Sequence, residues 1–148
     1  MKRFVIDASV ASKWIVAEPD SDDAVALRQR CELMAPDLLI VECTNVIWKL
    51  ARRGELTPAE AMSAVRLLMG VEIELVPMRA LVPEAMRLAI ALAHPAYDCA
   101  YLALAAAVGL PFVCSDGALL RKRAALGPSV SAPEVVSLTD AAASIARP

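Results

Sequence analysis

Residues 4–14 read FVIDASVASKW, and this stretch decides the fold. Phe4, Val5 and Ile6 form an unbroken apolar run, the pattern of a fully buried strand. Asp7 ends that run with a charge, and Ala8, Ser9, Val10 and Ala11 offer it no counterion. A carboxylate at the mouth of a buried strand needs partners from elsewhere in the chain. Further along, apolar runs alternate with helical patterns. "LMAP" (33–36) reads as a minimal second strand, "VEIELVP" (71–77) as a strand with one solvated face near a sheet edge, "LPFVC" (110–114) as a buried strand and "PEVVSL" (133–138) as the last. Between them helices are predicted over 8–17, 21–31, 37–53, 57–70, 80–93, 96–109 and 116–126, with a frayed Ala-rich helix at 139–146. Ser21 or Asp22 can cap the second helix. Thr57, Pro58 and Glu60 make a capping box with proline at the first helical position. Alternating strands and helices imply an α/β fold, a central parallel sheet of about five short strands flanked by helices.

The totals agree. The 148 residues suit one domain spanning 1–148. The hydrophobic fraction is 58%, above the usual ~45–50%, yet aromatics are only 4%, so the core is built from Ala, Val and Leu. The net charge of −2 gives no nucleic-acid signal by itself, so any such contact must come from local patches. Cys31, Cys43, Cys99 and Cys114 form no CxxC pair, which argues against zinc and for reduced, buried thiols in a cytoplasmic protein. Asp7 and Lys13 interrupt the N-terminal apolar stretch, so no targeting segment is expected. His94, Pro95 and Asp98 interrupt the longest one, so no membrane span is expected either.

In a parallel α/β sheet, ligands bind beyond the carboxyl ends of the strands, where the following helices also begin. That edge sorts the acids. Asp7 ends the first strand and Asp116 follows "PFVCS". Asp98 lies in the first turn of its helix and Glu42 in the second turn of another. Asp7 and Asp116 can equally cap helices, and Asp98 can complement a helix N-terminus. Glu42 sits among Leu39, Ile40, Val41 and Cys43, where a solvated stripe is not expected. Glu72 and Glu74 read as ordinary solvated charges. Converging carboxylates repel unless a cation neutralises them, and oxygen donors without a Cys/His cluster select Mg²⁺ or Mn²⁺. The lone histidine, His94, precedes Pro95 and reads as structural. It builds no Ser/His/Asp set, and no GxGxxG or Walker loop is present.

Taken in order, "FVIDASVASKW", "LLIVECTNVIWKLARRG" (38–54) and "AYDCAYLALAAAVGLPFVCSD" (96–116) resemble the PIN-domain family, and within it the VapC-type toxins, over essentially the whole chain. The resemblance implies a PIN-like domain whose acidic quartet, Asp7, Glu42, Asp98 and Asp116, binds Mg²⁺ or Mn²⁺ for RNA hydrolysis, leaving 5′-phosphate and 3′-hydroxyl ends. Asn45, one helical turn from Glu42, matches a position that orients the site. Ser115 matches a hydroxyl beside the last acid, and Ser9 fits a polar helper or a helix cap. The resemblance also implies a small antitoxin partner and a homodimer. An acidic pocket repels RNA, so a basic rim is expected from Lys13, Lys49, Arg52, Arg53 and the run Arg121, Lys122, Arg123. Other readings remain open at this point: a PIN nuclease of RNA maturation, or an inert RNA- or protein-binding PIN domain. An aspartyl-phosphate enzyme of the dehalogenase type would want a second acid where Ser9 stands.

Overall fold

The computed structural model describes residues 1–127 and 129–146; positions 128, 147 and 148 of the expected domain lie outside them. β1 (Lys2–Ile6) is the centre of the sheet. It pairs in parallel with β2 (Cys31–Pro36) on one side, Val5 opposite Met34, and with β4 (Phe112–Cys114) on the other, Val5 opposite Phe112. β3 (Glu74–Val76) extends the sheet beyond β2, and β5 (Val135–Ser137) beyond β4. The order β3-β2-β1-β4-β5, all parallel, matches the expected five-stranded α/β architecture. β3 is an edge strand, as its alternating acids predict.

Eight α-helices surround the sheet among the described residues: α1 (Ala8–Ala11), α2 (Ser21–Arg30), α3 (Leu38–Arg52), α4 (Pro58–Met69), α5 (Val82–Leu92), α6 (Ala96–Val108), α7 (Gly117–Ala125) and α8 (Leu138–Ala146). α6 is the most apolar; seven consecutive residues, Cys99–Ala105, are buried, and Tyr101 stacks on Phe112 of β4 with ring centroids 6.0 Å apart. Small residues let this helix lie close to the strands, which is why a core with so few aromatics fills. All four cysteines are buried and free. Among the described residues no single helix is long and apolar enough to cross a membrane.

Several local expectations are corrected. β2 starts at Cys31, two residues before "LMAP", because Cys31 and Glu32 pair with Lys2 and Arg3; ladder formation overrides the helical pattern there. The helix over 8–17 stops at Ala11 and continues only as a 3₁₀ turn, Ser12–Trp14, where the Trp14 indole N–H donates to the Ala24 carbonyl at 2.9 Å and turns the chain. Neither Ser21 nor Asp22 caps α2. Ser21 Oγ instead accepts from the Glu18 amide and donates to the Val16 carbonyl. The Thr57–Glu60 capping box forms as expected. The C-terminal helix is not frayed over its described length: Leu138, Ala141 and Ala142 are buried, and the helix packs on α2.

The chain runs outward from β1 through β2 to β3, then returns to the other side of β1 for β4 and β5. The strand order therefore reverses between β1 and β4. The crevice beyond their carboxyl ends is where an open α/β sheet holds its ligands.

Candidate active site

Asp7 is the first residue past β1, in extended conformation, and it caps α1. Its Oδ1 accepts from the amides of Ser9 at 3.0 Å and Val10 at 3.3 Å, and from the Ser9 hydroxyl. Ser9 Oγ in turn accepts from the Ser115 amide at 3.0 Å, which ties the ends of β1 and β4 together. Asp116 repeats the arrangement at α7: its Oδ1 accepts from Ala118 N at 2.8 Å and Leu119 N at 3.4 Å. Capping and site chemistry are thus compatible. The cap occupies one oxygen, and among the described hydrogen bonds none uses Oδ2 of either residue.

Asp98, in the first turn of α6, faces the same crevice. His94 Nε2 lies 2.8 Å from Asp98 Oδ2 and 3.7 Å from Asp116 Oδ2. One atom from each of these three residues falls within 4.8 Å of the others. Glu42 enters from the second turn of α3, and its Oε2 accepts from the hydroxyl of buried Tyr101 at 2.6 Å. Val41 beside it is 67% exposed, so the apolar setting inferred for Glu42 from its neighbours is only partial. What sets its environment is Tyr101.

The acids feel one another. Loss of water around Asp7 is the main cause that lifts its pKa from 3.8 to about 7. The Ser9 hydroxyl and Val10 amide pull it down, and the charges of Asp98 and Glu42 push it further up. Glu42 is raised chiefly by burial; Tyr101 opposes the rise and the Asp98 charge adds to it. Burial and the bond to Glu42 hold the Tyr101 hydroxyl far above its ordinary value, so it remains a donor. Ser115 Oγ is buried beside this cluster with no hydrogen-bond partner among the described residues.

The remaining candidates divide. Asn45 is exposed, one turn along α3 from Glu42, and its side chain makes none of the described hydrogen bonds. Lys13 is not part of a rim: it is 7% exposed and paired with Glu18 and, at 2.8 Å, Asp20, because the turn after α1 folds these acids over it. Lys49, Arg52 and Arg53 are exposed near the far end of α3, about 10–16 Å along the helix from Glu42. Arg52 lies over the Trp48 ring at 5.1 Å, and Arg53 pairs with Glu55. In the α7 run, Arg121 is exposed above Gly117, next to Asp116. Arg123 donates to the Pro133 and Ala132 carbonyls instead. Lys122 turns inward to the Ala93 carbonyl and His94 Nδ1. Sequence reasoning missed His94 and Tyr101 as site residues. Tyr101 had a signal, its position three residues after Asp98 on one helix.

Known proteins bear the same stamp. The PIN-domain family model matches residues 4–126. Ribonuclease VapC3 of Pyrobaculum aerophilum is 33% identical over 127 residues, 84% of this chain and 97% of that protein. The crystal structure of PAE2754, also from Pyrobaculum aerophilum, superposes with a TM-score of 0.71 at 22% identity, over 99% of this chain and 98% of the other. That of Mycobacterium tuberculosis VapC20, a sarcin-ricin loop cleaving toxin, gives 0.63 at 14% identity, over 86% and 99%. The matched span takes in residues 4–6 of β1, all of β4 and all four acids of the crevice, and on that ground the chain belongs to the PIN-domain family.

Proposed function

We propose that this chain is a divalent-metal-dependent endoribonuclease, the toxin of a VapBC-type pair, acting in the cytoplasm. The observation that carries the reading is the convergence of carboxylates from separate elements at the β1–β4 crevice, Asp7 at the end of β1, Asp98 in the first turn of α6 and Asp116 before α7 within reach of the same His94 nitrogen, and Glu42 held on Tyr101 of α6. A fold keeps such a cluster when a cation relieves it. The donors fit Mg²⁺ or Mn²⁺: carboxylate oxygens from Asp7, Glu42, Asp98 and Asp116, the two capping aspartates each with an oxygen outside the described hydrogen bonds, and a buried hydroxyl, Ser115 Oγ, without a partner among the described residues. The similarity to Ribonuclease VapC3 supports RNA as substrate.

These four acids would hold the ion. A bound divalent ion supplies positive charge for the attacked phosphate and acidifies the attacking water. The chain's own residues do the positioning. Ser9 fixes Asp7 and the start of the β4–α7 turn with one hydroxyl. Tyr101 holds Glu42. Arg121 is the exposed cation nearest Asp116 in sequence, placed to meet the RNA backbone. The resemblance to VapC toxins supports a small antitoxin and a homodimer. The apolar side chains exposed along α5, Val82, Met86 and Ile90, offer surface for such partners.

The test is induced expression of wild type and Asp7→Ala, with RNA 5′ ends mapped genome-wide. Growth arrest with new 5′-phosphate ends at recurrent sites, absent in Asp7→Ala and relieved by a co-expressed neighbouring small protein, is expected. An Asp7→Ala variant that cuts as wild type does would overturn the assignment.

A further inference from the structure

We propose that His94 and Lys122 are positioning residues, a two-step relay that fixes the rotation of Asp98 for the metal; the inference rests on the metal-dependent reading above. Lys122 Nζ lies 3.1 Å from His94 Nδ1 and 2.8 Å from the Ala93 carbonyl. An ammonium has donors and no acceptor, so Nδ1 must accept. The ring proton is then on Nε2, 2.8 Å from Asp98 Oδ2, and that N–H donates to the carboxylate. A protonated Nε2 has no lone pair for a metal. Although His94, Asp98 and Asp116 crowd within 4.8 Å, His94 therefore acts as an outer partner that holds Asp98 Oδ2, while Oδ1 is used by none of the described hydrogen bonds.

The backbone is shaped for this. α5 ends with the Ala93 amide donating to the Ile90 carbonyl and the His94 amide to the Ala89 carbonyl, with Ala93 left-handed at φ 48°. A helix terminus of that kind takes glycine readily; alanine held there aims its own carbonyl at Lys122 and the next side chain, 6% exposed, into the crevice. The relay thus joins the end of α5, the start of α6 and α7. Lys122, expected on the RNA-binding rim, faces inward.

His94 is the sole histidine, so ¹⁵N-histidine NMR reads one ring. Where the ring of metal-free wild type is neutral its proton should sit on Nε2, and Lys122→Met should give a tautomer mixture. A neutral wild-type ring whose proton sits on Nδ1 overturns the relay. In parallel, Mn²⁺ affinity is measured calorimetrically for wild type, His94→Ala and His94→Gln, with circular dichroism to verify folding. His94→Ala should bind about 10–100-fold more weakly. His94→Gln, whose amide N–H can replace Nε2–H, should recover most of the loss. Equal affinity in His94→Ala, or no recovery in His94→Gln, overturns the relay while leaving the metal reading intact. A wild type that binds no Mn²⁺ overturns the metal reading itself.

Discussion

Asp7→Asn separates the stability of the fold from its chemistry. In the folded, metal-free chain the Asp7 carboxyl keeps its proton to about pH 7, chiefly because burial disfavours the charge, against 3.8 in an ordinary setting. Between those values the folded state binds more protons than the unfolded state, so stability falls as pH rises. At about 1.4 kcal/mol per pH unit, the window from 3.8 to about 7 amounts to a ceiling of about 4 kcal/mol. Below the window both states are protonated and Asp7 contributes no difference; above it the full loss is present. Asparagine carries no charge and caps as well as aspartate, so its amide oxygen can still accept from the Ser9 and Val10 amides. Urea unfolding in the presence of a chelator, repeated from pH 4 to 8, gives the difference between variant and wild type. Glu42, raised chiefly by burial, titrates in both proteins, so that part of its contribution cancels and only its interaction with the Asp7 charge enters the difference. The variant should gain on wild type steadily through the window, by up to about 4 kcal/mol, and Mg²⁺ should close the gap by stabilising wild type alone. A difference that stays flat with pH would refute the reasoning.

Tyr101→Phe removes the donor that holds Glu42 at 2.6 Å and should destabilise the fold by about 1.5–3 kcal/mol in urea unfolding; a negligible change would show that Glu42 finds another partner. Ala93→Gly relieves a left-handed alanine, φ 48°, and should stabilise by about 0.5–1 kcal/mol after glycine's larger unfolded-state entropy is subtracted; a loss of stability would mean the alanine side chain packs favourably there. Arg121→Ala should weaken RNA binding by inactive protein and lower the salt slope by about one ion. Lys13→Ala should leave binding unchanged, because its charge is engaged by Glu18 and Asp20. The reverse pattern would move the RNA path to the other side of α1.

The strand-end acids were legible because parallel topology alone puts them at one rim. Asp7 and Asp116 needed no side-chain detail, and the cap reading and the site reading proved to describe different oxygens of the same carboxyl. Residues whose role depends on a contact between distant elements were not legible. His94 is placed by the left-handed turn at Ala93 and by Lys122 on α7, neither of which shows in "AHPAYD". Lys13 looked like a surface cation on a helix, but the helix ends three residues after it begins, and the following turn buries the charge. Ser9 read as a helper by analogy; its bond to the Ser115 amide, 106 positions away, is what joins β1 to β4. Charge patches mislead most, since sequence gives their sign but not whether a partner already faces them.

The most direct measurement is cleavage of total RNA by the purified chain, wild type and Asp98→Asn, with chelator and then with added Mg²⁺ or Mn²⁺. Metal-dependent cutting that leaves 5′-phosphate ends in wild type, and its loss in a folded Asp98→Asn, is predicted. Cutting that survives the chelator, or that Asp98→Asn performs undiminished, would contradict a metal-dependent acidic centre at the β1–β4 crevice.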